Sequence, residues 1–188
     1  MAAEPRRSRR SKPVAPLPER LLDAVQRLLA ARDEAALHRA VASETRALLG
    51  AARVLLMLHD VDGAMRVAAS NLPRGEPVQA LVHAVTPWLD EARASGTGRL
   101  VHGPAGADAA QQRSCLIVPL RAHARRHYIV YADVDGRDGR FGDAELQLLT
   151  RWAAVAVQAL EASSRRKTAV ERRLAQRERD ADVAKAAQ

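Results

Sequence analysis

Cysteine occurs once in this chain, at position 115, and that single count removes intramolecular disulfides, cysteine-ligated zinc and iron–sulfur clusters from consideration. Cys115 lies inside the apolar run SCLIVPL, where a buried, inert thiol is expected. Aromatic residues make up only 3% of the chain, which leaves few platforms for stacking a purine. No uninterrupted apolar run reaches the roughly 18 residues of a membrane helix, so no membrane partner is expected. The amino terminus MAAEPRRSRRSKPVAPLPE lacks the apolar middle region of a secretory signal, and its prolines argue against the amphipathic helix of a transit peptide. A soluble cytoplasmic protein is the expectation.

What is present in excess is positive charge, and its placement matters more than its size. Of the net +8, residues 1–20 hold six basic and two acidic side chains, and residues 161–188 hold eight basic and five acidic. That leaves 16 basic and 15 acidic for residues 21–160, a nearly neutral body with charged ends. Residues 1–16 are rich in Arg, Ser, Pro and Ala, too poor in apolar groups to offset their ordering entropy, and read as a disordered basic arm.

From Leu17 the positions Leu21, Leu22, Val25, Leu28 and Leu29 recur with helical spacing. A second helix follows Asp33, a candidate N-cap, with Leu37, Val41, Thr45 and Leu48 on its stripe and Gly50 closing it. ARVLLMLHD, residues 52–60, is continuously apolar and predicts an interior strand covered on both faces. Asp62-Gly63 supplies a hairpin turn to the returning strand AMRVAASNLP. PVQALVHAVTPWLDEAR, residues 77–93, is helical in pattern, with Pro87 expected to break or kink it. SGTGRLVHGP reads as a short strand between glycines and AGADAAQQR as a loop or short helix. SCLIVPL and HYIVYADVD then flank the turn RAHARR, and a long helix starts near Asp143. The predicted class is α+β, a central antiparallel sheet of five to six strands with helices on both faces and a long carboxy-terminal helix.

The stretch YIVYADVDGRDGRFGD carries enough aspartate and glycine to be tested as a calcium loop. Counted from Asp133, an EF-hand would place oxygen at position 5, glycine at 6 and glutamate at 12, where this chain has Arg137, Asp138 and Ala144. The register fails, and the segment before it is β-like rather than helical. The turn reads instead as a strand-to-helix joint: Gly136 and Gly139 permit positive φ, Phe141 anchors the turn and Asp143 caps the next helix. His123 and His127 are four apart but lie in a hairpin turn among arginines, so they are not read as a metal pair.

SCLIVPL, a turn, and then YIVYADVDGRDGRFGDAELQLLTRWAAVAVQALEAS resemble the last two strands and closing helix of GAF domains. These are small-molecule sensor and dimerisation modules of bacterial signalling proteins such as histidine kinases and nucleotide cyclases, and the resemblance spans residues 17–163. It implies a ligand pocket between the sheet and the covering segment, here residues 73–113, with His83, Trp88, His102, Cys115 and Tyr131 as candidate lining. The NKFDE-type signature of the cyclic-nucleotide-binding members is absent, and residues 73–113 contain no cysteine for a tetrapyrrole, so no cofactor is expected. The methionine sulfoxide reductase members use several cysteines, which excludes that activity by resemblance. The sequence departs from the family at Tyr128, which stands where a glycine usually opens the last strand. The tyrosine either fills space other members use or lies on the strand's other face.

No catalytic constellation is visible, and no metal site. In heptad register, Leu146, Leu149, Ala153, Ala156 and Leu160 occupy a and d positions of the last helix and are the expected dimer seam. Residues 164–188 read as a charged helical extension, either a coiled coil or a solvated helix. The function expected is a non-enzymatic sensor or regulatory module that binds a small molecule or partner and signals as a homodimer, through its terminal helices, to an output protein. The alternative is a nucleic-acid or polyanion-binding protein using the arginines of residues 1–16 and 164–188.

Overall fold

The computed structural model describes residues 15–59, 64–121 and 127–186. The basic arm up to residue 14, the Asp62-Gly63 turn, and the turn containing His123 lie outside them.

Helix α1 (Leu17–Leu29) and helix α2 (Glu34–Leu49) lead into strand β1 (Arg53–His59) and strand β2 (Met65–Asn71). Helix α3 (Val78–Ser95) precedes strands β3 (Arg99–Gly103), β4 (Arg113–Arg121) and β5 (His127–Asp135), and helix α4 (Asp143–Ala186) ends the order. The five strands form one antiparallel sheet in the order β2-β1-β5-β4-β3.

Alternation along the interior strands divides their side chains between two cores. Val54, Leu56 and Leu58 of β1 and Tyr128, Val130 and Ala132 of β5 pack with α1, α2 and the first half of α4. Leu55 and Met57, with Cys115, Ile117, Ile129 and Tyr131, pack instead against Leu81, Val85, Leu89 and Ala92 of α3. The continuous apolar run of β1 thus has two covered faces.

Local chemistry sets the helix limits. The Asp33 side chain accepts from the Ala36 backbone N–H at 2.7 Å, and Gly50 terminates α2 with φ 66°. Four sequence expectations are corrected. Helix α3 continues through Pro87, because buried residues on both sides, Leu81 and Val85 before it and Leu89 and Ala92 after it, hold its axis on the sheet. Asp143 is the first helical residue of α4, while the Glu145 side chain accepts from the Gly142 N–H at 2.8 Å, the glutamate half of a capping box. Gly136 is needed for closeness rather than for positive φ: a Cβ there would lie 2.1 Å from the Ala109 carbonyl oxygen. In α1 the apolar stripe divides, with Leu28 buried but Leu22 and Leu29 exposed.

The dimer seam expected on α4 is also reassigned. Leu149, Ala153, Ala156 and Leu160 are buried in the chain's own core, and Leu146 packs against it. An amphipathic stripe reads identically whether it covers a sheet or a second copy, and here the sheet and α2 take it.

Candidate ligand pocket

The face of the sheet covered by α3 retains a cavity of about 460 Å³. Its floor is made by Arg53, Tyr131, Arg113 and Cys115, from β1, β5 and β4, and its wall by α3 with the Glu76-Pro77 entry. Ala80 and Ala84, one turn apart on α3, leave the space, and Trp88 a further turn on closes one end beside Gly103 and Pro104. Leu81 and Val85, on the neighbouring stripe, hold the helix against the sheet.

One end of this apolar cavity is charged. Arg53, Asp133 and Cys115 form a row across β1, β5 and β4. Asp133 is 0% exposed and accepts from Arg53 Nε at 3.0 and 2.8 Å, from Arg113 Nη1 at 3.0 Å and from the Tyr131 hydroxyl at 2.5 Å. Arg53 also pairs with Glu76 at 2.5 Å, which ties the lead-in of α3 to the sheet. Burial disfavours the Arg53 cation, but its hydrogen bonds to Asp133 and Glu76 outweigh that cost and hold its pKa above the ordinary arginine value. Burial, reinforced by the Asp133 charge, pushes the Tyr131 phenol up, and burial pushes the Cys115 thiol up. Both stay protonated at neutral pH, and the Cys115 sulfur lies 3.5 Å from the Tyr131 hydroxyl. Among the described residues no buried side-chain polar atom lacks a partner, and no group of metal ligands occurs.

Of the five candidates named from sequence, Trp88, Cys115 and Tyr131 meet in this cavity. His83 does not: it lies exposed on the outer side of α3. His102 does not either. Its register partner is Ser114, on the opposite face from Cys115, and its Nδ1 is 3.1 Å from the Ser114 hydroxyl. Tyr128 also faces that other side, in the helical core, with its hydroxyl 3.2 Å from His38 Nε2, so it takes no space from the cavity. Arg53, Glu76 and Arg113 were missed by the sequence reading. The available signal was Asp133, a carboxylate inside an otherwise apolar strand, which requires a buried cation somewhere in the fold.

An antiparallel sheet with a helix-covered cavity on one face and the terminal helices on the other defines the architecture. The chain belongs to the GAF domain family, whose profile matches residues 33–160. The fold is similar to that of a free methionine-R-sulfoxide reductase from Neisseria meningitidis solved in complex with its substrate. The TM-score is 0.60 at 18% identity, over 79% of this chain and 90% of that one. It is also similar to the phycoerythrobilin-bound GAF domain of a cyanobacterial phytochrome (TM-score 0.57, 14% identity, 82% and 99% covered). A third likeness is to the GAF domain of the cyanobacteriochrome TePixJ (TM-score 0.53, 19% identity, 73% and 94% covered). Against curated protein sequences no significant match is found. No helix among the described residues is long and apolar enough to cross a membrane.

Proposed function

We propose that the protein is a non-enzymatic sensor whose α3-covered cavity takes a small, largely apolar molecule with one polar end. The carrying observation is the cavity itself: about 460 Å³, apolar along α3, with the Arg53–Asp133–Arg113 cluster at one end. Cavities of this size and make-up suit ligands of drug-like dimensions. The absence of catalysis is supported by the chemistry of the lining, since the hydroxyl and thiol nearest the ligand space are both held protonated. The sole cysteine sits on the sheet floor rather than in the covering segment, so a covalently attached tetrapyrrole does not fit this lining.

The reading extends to a homodimer that signals through its terminal helices. Its support is apolar surface on those helices: Leu22 and Leu29, seven apart on α1, are 59% and 67% exposed, and Val170 and Leu174 of α4 are also exposed. The deciding experiment is a thermal-shift screen of metabolites against wild type and Ala84→Trp, which fills the cavity from α3. A ligand that raises Tm in wild type and not in the variant supports the reading, because only binding to the native state stabilises it. A ligand effect that survives Ala84→Trp places the binding elsewhere and overturns it.

A second reading, binding of nucleic acid, is favoured by one observation. Arg165, Arg172 and Arg179 recur at seven-residue spacing on the exposed extension of α4, one basic line on a helix. Phosphate contacts by such a line would make affinity fall steeply with salt.

A further inference from the structure

The charged end of the α3 cavity offers hydrogen-bonding capacity of one kind. Asp133 is fully buried, and both its oxygens are occupied by Arg53, Arg113 and the Tyr131 hydroxyl. The Tyr131 proton is directed at Asp133, and the tyrosine oxygen has the Cys115 sulfur beside it at 3.5 Å. What remains belongs to the two guanidinium groups, each a fork of N–H donors with no acceptor. Arg53 gives its donors to Asp133 and Glu76, while Arg113 donates to Asp133 and lies 3.4 Å from Asp135. Among the described residues those partners leave N–H groups of both arginines over. A polar group entering this end of the cavity therefore meets donors and has to be an acceptor.

Charge decides which acceptor. Arg53, Glu76 and Arg113 line the cavity and Asp133 lies beneath them, so two cations stand against two anions. A cation added here would be uncompensated, and so would an anion added beside Glu76. An anion that takes the place of Glu76 leaves the balance unchanged. Glu76 is also the carboxylate that can leave. Its side chain is 28% exposed and stands in the turn before α3, closed by its N–H to the Pro73 carbonyl at 3.2 Å, so rotation carries it into water. Asp133, 0% exposed, has no such exit, and Asp135 is not part of the lining. The contact of Glu76 with Arg53 Nη1 at 2.5 Å shows the geometry in which this end receives a carboxylate.

We infer that the cavity takes an organic carboxylate, and that Glu76 is the chain's own stand-in for it, holding Arg53 until the ligand's carboxylate replaces it between Arg53 and Arg113. This rests on the cavity reading above and names the ligand class. The apolar body of the ligand lies along Ala80 and Ala84, toward Trp88. The exchange also cuts the tie between the sheet and the lead-in of α3, so occupancy of the cavity is felt at the entry of the helix that covers it.

The test uses the full chain and two probe acids, octanoate and phenylacetate, each against its neutral amide, octanamide and 2-phenylacetamide. At least one acid should raise the Tm of wild type where its amide does not, and Ala84→Trp should abolish the effect. By calorimetric titration, Glu76→Gln should lower the Kd of that acid on the order of tenfold, because the internal competitor has lost its charge. Arg113→Gln should raise it by a similar factor. Circular dichroism checks that each variant is folded. If neither acid binds wild type, or if amide and acid stabilise it equally and only with the cavity open, the carboxylate assignment is overturned; in the second case the cavity remains the binding site. A Kd that is unchanged or raised in Glu76→Gln overturns the exchange. Stabilisation by an acid that survives Ala84→Trp overturns this proposal and the cavity reading together.

Discussion

Arg53 and Asp133 stand opposite each other across the β1–β5 ladder, and the arginine Nε donates to both carboxylate oxygens while Glu76 holds its Nη1 from the α3 side. The pair joins three things: the sheet's interior, the charged end of the cavity and the entry of the helix that covers it. An ion pair this buried adds little over a well-packed apolar pair, but removing one partner leaves the other charge without compensation.

Arg53→Ala should therefore destabilise the fold by roughly 3–5 kcal/mol, read as a lower urea midpoint at unchanged slope. Arg113→Ala should cost much less, about 1 kcal/mol, because its side chain is 36% exposed and Arg53 remains on Asp133. Equal losses for the two variants would contradict the assignment of Arg53 as the principal counter-ion.

Gly136→Ala tests the strand-to-helix joint. The added methyl would meet backbone oxygens of Ala109 and Gln112 at 2.1 and 2.6 Å, and the Gly136 N–H bond to the Gln112 carbonyl, 2.9 Å long, would have to open. A loss of about 1–3 kcal/mol is expected, measured by chemical denaturation. A neutral result would show that the loop at 109–112 can retreat at no cost.

The indole N–H of buried Trp152 donates to Thr45 Oγ1 at 2.9 Å, linking α4 to α2. Thr45→Val keeps the shape and removes the acceptor, so the variant should lose about 1–3 kcal/mol, the cost of an unsatisfied buried donor. Trp152→Phe, which removes donor and ring bulk together, should leave a cavity, and its near-ultraviolet circular dichroism would report looser α4 packing.

His102 makes stability depend on pH with a defined sign. Burial, with the Arg140 charge second, lowers its pKa below the ordinary value near 6.5. The unfolded chain therefore binds its proton first as pH falls. This contribution is fully present above about pH 6.5 and is lost as pH drops from there through the folded value. Tm profiles of wild type and His102→Asn should converge in shape above that window and diverge below it, with wild type falling more steeply.

Much of the fold was legible because it rests on short-range physics. Asp33 and Gly50 at the ends of α2, the doubly covered run of β1 and an antiparallel sheet of five to six strands, of which the structure has five, follow from spacing and residue type along the chain. Alternation along β5 separates Tyr128 from Tyr131, whereas His102 is separated from Cys115 by the β3–β4 register, which pairs it with Ser114. What each face meets does not follow. The stripe of Leu149, Ala153, Ala156 and Leu160 would serve a dimer or a monomer core equally well, and only the docking of α4 on α2 and the sheet assigned it to the core. Likewise Arg53 and Arg113, 80 and 20 residues from Asp133 in sequence, meet its carboxylate through strand pairing. Sequence determined the periods and the punctuation, which are local; tertiary structure decided the partners, because burial of a face or a charge is settled by whatever element arrives from elsewhere in the chain.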